Sequence, residues 1–273
     1  MHKMPQHVQY HINCKRGDLA QYLLVPGDPD RAEKIVERWS QARKISSNRE
    51  FRSFTGVYKG VKISAVSSGI GPAAMAIVVN EAANLGVETF IRVGSCGALQ
   101  RDVECGDLVI SSAAVRLDGT SNSYILPEYP ATADYEVLSA LIEAAESQSV
   151  DYHVGITATA DDFYTGQARH GARGFQNPES KKLIETLRRI GVLNFEMETA
   201  TLFVISNLFG LRAGSVCAVY ANRVTDEFSS HAGEDDCIRV ANEAVKILDE
   251  WERKKKAKKK KYFFPSLLTN STH

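Results

Sequence analysis

Short apolar runs, each halted by glycine or proline, alternate along this chain with longer stretches of helical spacing. That alternation limits the fold more than any other feature, because it calls for a sheet covered by helices. Tyr22–Val25 reads as a strand that cannot continue through Pro26-Gly27-Asp28-Pro29, and Asp30 to Trp39 then places Ala32, Ile35 and Val36 on one helical face. Val57–Lys59 and Val61–Val66 read as a hairpin turning at Gly60. Ala73–Leu85 is a buried helix stopped by Gly86, and Thr89–Val93 a buried strand leading into Gly94-Ser95-Cys96-Gly97. Strands follow at Val109–Ala114, Tyr152–Ala160 and Arg212–Tyr220, and helices at Tyr135–Ser147, Ser180–Ile190, Glu198–Phe209 and Glu234–Glu252. No repeat and no linker divides the body. The expected architecture is a single α/β domain over residues 1–252, with a mixed central β-sheet flanked by helices.

Charge separates the remainder from this body. Residues 252–261 contain Arg253, seven lysines and Glu252, a local sum of +7 in a chain of net charge zero, so the body is acidic. Like-charged runs repel themselves, and residues 253–273 are therefore expected to form a basic, disordered tail. The apolar run Tyr262-Phe263-Phe264-Pro265 beside it keeps an anionic lipid surface open as an alternative use. No nucleic-acid partner is expected. The five cysteines are scattered and show no CxxC spacing, which fits free thiols in a reducing cytoplasm. Met1 to His7 contains no apolar run of the kind a secretory leader needs, and no stretch is long enough to span a bilayer.

Three groups of residues carry chemistry. Gly27-Asp28-Pro29-Asp30-Arg31 follows a strand and opens a helix, where free N–H groups and the helix N-terminus suit an anion, and Arg31 can fold back onto it. Arg92 ends a buried strand next to Ser95, and Arg49 stands in a polar turn before the hairpin. A guanidinium is costly to bury unless an anion or carboxylate meets it, so either phosphate or a local acid such as Glu50 is its partner. The absence of GxxxxGK[ST] argues against a nucleoside triphosphate. In Asp161–Arg169 an aromatic ring (Phe163), an amide (Gln167) and a guanidinium (Arg169) suit a planar heterocycle with carbonyl and N–H edges. In Asn194-Phe195-Glu196-Met197-Glu198, a carboxylate beside a thioether suits a sugar diol, with Glu198 accepting two hydroxyl hydrogens. Glu196 supports Glu198 or caps the following helix.

These motifs in combination, over residues 8–250, resemble the nucleoside phosphorylase family. The resemblance implies phosphate binding by Gly27, Arg31, Arg92 and Ser95, with Arg49 reaching the phosphate of a neighbouring subunit. It implies ribose binding by Met197, Glu198 and Ser95, with His11 crossing to the adjacent subunit. The base decides between the family's branches. His-Ile-Asn at 11–13 and Arg-Val-Gly-Ser-Cys-Gly-Ala at 92–98 are similar to the purine branch, whose leaving base is protonated by an aspartate. Asn222-Arg223 stands where that acid belongs, and Phe-Tyr-x-Gly-Gln-x-Arg at 163–169 is similar to the uridine branch. The resemblance therefore implies phosphorolysis of uridine. Base contacts are expected from Phe163, Gln167, Arg169, Glu196 and Arg223, with Arg169, Gln167 and Arg92 as the catalytic set. Tyr220 departs from the smaller aliphatic expected near the base. A purine or methylthioadenosine phosphorylase, a hydrolytic nucleosidase and a non-enzymatic storage or interaction protein on the same scaffold remain alternatives.

No metal and no organic cofactor is implied beyond inorganic phosphate as co-substrate. Some members hold a structural monovalent cation at positions matching Glu50, Ile70 and Ala74, and Ala74 lacks the hydroxyl found there. The shared sites imply a homo-oligomer, as a hexamer assembled from three dimers.

Overall fold

The computed structural model describes residues 8–268; Met1–His7, which carried the reading of the leader, and the residues after Leu268 lie outside them. In chain order the elements are β1 (Tyr22–Pro26), α1 (Pro29–Val36), β2 (Ser40–Asn48), β3 (Phe51–Tyr58), β4 (Val61–Val66) and α2 (Pro72–Asn84). There follow β5 (Thr89–Ala98), β6 (Leu108–Leu117), α3 (Gly119–Tyr124), β7 (Ala131–Thr132), α4 (Tyr135–Ser147) and β8 (Tyr152–Ala160). The chain continues through α5 (Pro178–Arg189), β9 (Asn194–Glu196), α6 (Thr199–Leu208), β10 (Arg212–Asn222), β11 (Glu227–Phe228) and α7 (Glu234–Ala257). One mixed sheet takes in all these strands.

β5 is the sheet's axis. β1 runs parallel on one side, with Tyr22 level with Thr89, and β10 runs parallel on the other, with Arg212 level with Thr89. Beyond β1 the sheet continues through β4 to the antiparallel β3 and β2. On the other side β10 pairs with β6, β6 with β8, β8 with β9, and β9 returns to β5, so that five strands close on themselves. Buried parallel strands need helices on both faces. The period of two in β1 supplies both cores: Tyr22 and Leu24 pack with α4 and α7, Leu23 and Val25 with α2 and α6. α6 is buried from Thr199 to Ser206 and has no polar face because it runs through the interior. Asp134 starts α4 by accepting from the N–H groups of Glu136 and Val137, both at 3.0 Å. The hairpin expected at Gly60 is present between β3 and β4, with Lys59 (φ 45°) joining Gly60 (φ 87°) in a two-residue turn instead of ending the strand.

Three expectations are corrected. Gly94–Gly97 does not leave the sheet but lies inside β5, which places Arg92 in mid-strand. A Cβ on Gly94 would stand 2.6 Å from Cys217 Sγ and 2.8 Å from Arg92 Nη2, so this glycine makes room for Cys217 on β10 and for the Arg92 side chain of its own strand. β2 and β9 formed where no apolar run announced them: β2 is a largely exposed edge strand, and β9 has three residues.

The third correction concerns residues 253–268, expected as disordered. α7 runs on to Ala257, and the buried Lys255 ammonium pairs with Glu136. Phe263 stacks on Trp251 with ring centroids 3.6 Å apart, and its N–H donates to Glu136 at 2.8 Å. Leu267 is buried in the same core. Apolar anchors on both sides of the lysines outweigh their mutual repulsion. Among the described residues no helix is long and apolar enough to cross a membrane.

Candidate active site

A cavity of about 790 Å³ opens beyond the carboxyl ends of β1, β4, β5, β8, β9 and β10, the place where α/β sheets usually hold ligands. At one end lie Gly27, Arg31, Arg92 and Ser95. The Asp28 carboxylate starts α1 by accepting from the Asp30 N–H at 2.8 Å, which points the first turn and Arg31 at the cavity. The Arg31 guanidinium donates to Val93 O at 3.2 Å and to the Tyr220 hydroxyl at 3.0 Å.

Arg92 is held by both carboxylates of the Glu-Met-Glu motif. Its Nε donates to Glu196 at 2.8 Å and its Nη2 lies 2.5 Å from Glu198. Burial opposes its charge, but Glu198 and Glu196 more than restore it, so the guanidinium stays protonated. Glu50 is not its partner. Arg92 Nη1 is buried and meets no acceptor among the described residues. A buried donor left in that state costs about 1–3 kcal/mol, and an anion in the cavity removes the cost.

Met197 and Glu198 line the middle of the cavity. Glu198 accepts from the Gly71 N–H at 2.5 Å and from Arg92; burial pushes its carboxyl up, and Arg92 works against that rise. Glu196 has a different task from the base contact expected of it. Its carboxylate accepts from Arg92, from the Thr159 hydroxyl, and from the N–H groups of Glu198 and Thr199 at 2.8 and 2.9 Å. It caps α6 and clamps Arg92, with its oxygens taken up by the protein.

Phe163, Gln167 and Arg169 form the far end. A short 3₁₀ turn at Thr165–Gln167, closed by Ala168 in the left-handed region (φ 51°), brings Arg169 back over Phe163 with its guanidinium carbon 4.4 Å from the ring centre. Arg169 Nε is buried without an acceptor among the described residues. Burial makes Arg169 less basic than a free guanidinium, and burial followed by the Arg169 charge brings Arg223 down to about 10. Arg223 does not line the cavity; it stands behind it, donating to the Gln167 carbonyl and facing Phe195. Its place is that of a support for the Gln167 turn. Asn222 is also turned away, with its amide donating to Val103 O at 2.8 Å and accepting from the Val224 N–H at 2.8 Å.

His11 and Arg49 are not brought to this cavity. The His11 ring lies 2.6 Å from Glu81, and Arg49 is exposed in the left-handed turn between β2 and β3 (φ 54°). The two sit together, because Asn48 donates to His11 O at 2.8 Å. Sequence reasoning missed Phe228, His231 and the partnership of Tyr220 with Arg31 and Glu234. Glu234 carries no signal beyond being an acid at a helix start.

Residues 21–250 match the model of the phosphorylase superfamily. The chain belongs to that family. It is 55% identical over 260 residues to the uridine phosphorylase of Thermococcus kodakarensis, covering 95% of this chain and 94% of that protein. It is 39% identical over 248 residues to the uridine phosphorylase of Haemophilus influenzae, covering 88% and 98%. The crystal structure of uridine phosphorylase from Vibrio fischeri superposes with a TM-score of 0.79 at 33% identity, over 88% of this chain and 97% of that one.

Proposed function

We infer that this chain is a uridine phosphorylase, a pentosyltransferase that converts uridine and phosphate reversibly to uracil and ribose 1-phosphate. The observation that carries the choice of base is the pair of half-buried guanidiniums, Arg169 and Arg223, with no carboxylate beside either among the described residues. Two uncompensated cations suit a leaving group that departs as an anion with carbonyl oxygens. No acid at Asn222 is positioned to protonate a purine nitrogen.

Phosphate binds to the Gly27 turn, Arg31, Arg92 and Ser95, and attacks the anomeric carbon from below. Glu198 and Met197 hold the ribose through its hydroxyls and its face. As the glycosidic bond opens, the sugar becomes cationic above the phosphate while Gln167 and Arg169 take the charge growing on uracil, in the manner of an oxyanion hole. Holding both reactants in one cavity replaces a bimolecular encounter. The reaction uses inorganic phosphate and needs neither metal nor organic cofactor, since arginines supply all the charge stabilisation. The protein works in the cytoplasm as a homo-oligomer, a trimer of dimers in which His11 and Arg49 complete a neighbour's site. Their joint position on one surface outside the cavity supports that arrangement.

A panel of uridine, thymidine, inosine and methylthioadenosine at saturating phosphate tests the base assignment. Uridine is expected to give the highest kcat/KM; a purine nucleoside in that place contradicts it.

A further inference from the structure

We propose that Tyr220 and Glu234 are positioning residues that hold Arg31 in its anion-binding pose, an inference that rests on the phosphorylase reading of the site. Arg31 lines the cavity yet is only 4% exposed. Its Nε and Nη2 donate to Glu234 Oε2 at 3.4 and 3.3 Å, its Nη2 also to the Tyr220 hydroxyl at 3.0 Å, and its Nη1 to Val93 O at 3.2 Å. A guanidinium has five N–H groups. These four contacts leave one on Nη1 for a ligand and fix the plane in which it points.

Tyr220 links the two charges. Its hydroxyl accepts from Arg31 and donates to Glu234 at 2.5 Å, so one side chain fills both roles. The ring of Tyr220 lines the same cavity as Arg31. The phenol thus answers to the phosphate end of the site, although sequence reasoning placed it at the base. Glu234 begins α7 and also accepts from Lys34 and, at 2.9 Å, from His231. An acid beside an anion site repels the anion unless cations outnumber it, and here Arg31 and Lys34 do so. What Glu234 adds is rigidity: it ties the guanidinium from α1 to α7, with Tyr220 bracing it from β10. A donor fixed before the ligand arrives loses little freedom on binding.

The test is calorimetric titration of inorganic phosphate into the full-length protein without nucleoside, alongside separate KM values for phosphate and uridine. Wild type, Y220F and E234Q are compared. Y220F keeps the ring and loses only the hydroxyl, and is expected to weaken phosphate binding by about 5–10-fold while the uridine KM stays within about twofold. E234Q is expected to weaken phosphate binding at least as much. Phosphate binding as tight as wild type or tighter in Y220F overturns the proposal, because Glu234 and Tyr220 then merely compete with the anion for Arg31. Equal losses for phosphate and uridine overturn it as well, since they report general distortion. Wild-type protein that binds no phosphate refutes the phosphorylase reading instead.

Discussion

Arg169 and Arg223 show how single side chains are set up for their work. Burial removes water from both guanidiniums, and at Arg223 the nearby Arg169 charge adds to that cost, which is why Arg223 falls to about 10. In the proposed reaction an anionic base meets Arg169 and lowers this cost as it forms, which makes the stabilisation larger in the transition state than in the ground state. Arg169→Ala is expected to lower kcat for uridine phosphorolysis on the order of 100-fold or more, read by steady-state uracil release; full turnover in that variant contradicts the role. Glu234 makes a prediction about pH. Burial alone raises its carboxyl, but Lys34, Tyr220, His231 and Arg31 reverse this and bring it to about 2 from 4.5. A depressed carboxyl contributes stability above its unfolded value that is lost as pH falls through its folded value. Wild type is therefore expected to be more stable than E234Q near neutrality, with the gap closing between about pH 4.5 and pH 2 in denaturant titrations. A gap that stays constant over that range counts against the ion pairs.

At the scale of elements, the end of α7 and the segment after it act as a clasp. Phe263 lies flat on Trp251, and Glu136 on α4 accepts from both Lys255 and the Phe263 N–H. Phe263→Ala is expected to cost about 3–5 kcal/mol of unfolding free energy, measured by denaturant melts, with kcat unchanged because the clasp lies outside the cavity. A change near zero supports the disordered tail read from the lysines. That misreading shows what patterns along the chain reveal and what they hide. β1 was legible as an unbroken apolar run buried on both faces, and α4 and β8 because one face of each is apolar at the period its backbone imposes. β2 was not, since an exposed edge strand needs no apolar run, and Gly94 inside β5 looked like part of a turn because its reason, room for the folded-back Arg92 side chain and for Cys217 on β10, appears only in the folded sheet. The site divides in the same way. Gln167 with Arg169, and Met197 with Glu198, are neighbours in sequence and could be read as units. Tyr220 and Glu234 stand 189 and 203 residues from Arg31, and only the folded sheet brings them to it.

For the whole molecule, the proposed homo-oligomer carries a direct consequence, the sharing of sites between subunits. Arg49 and His11 stand outside the cavity; in the proposed assembly, an Arg49→Ala protomer and an Arg169→Ala protomer each lack a different part of a shared site. Co-refolding the two inactive variants is expected to restore a substantial fraction of activity, because mixed dimers contain one complete site. No recovery, with mixed oligomers demonstrated by mass, places Arg49 within its own protomer. The central claim is that phosphate cleaves the glycosidic bond of uridine. The measurement that meets it most directly is uracil release from uridine by the purified protein with and without inorganic phosphate, with the sugar product identified by phosphorus NMR. Uracil and ribose 1-phosphate are expected in equal amounts, with no uracil when phosphate is left out. Uracil released equally well without phosphate, with free ribose as the other product, would contradict it.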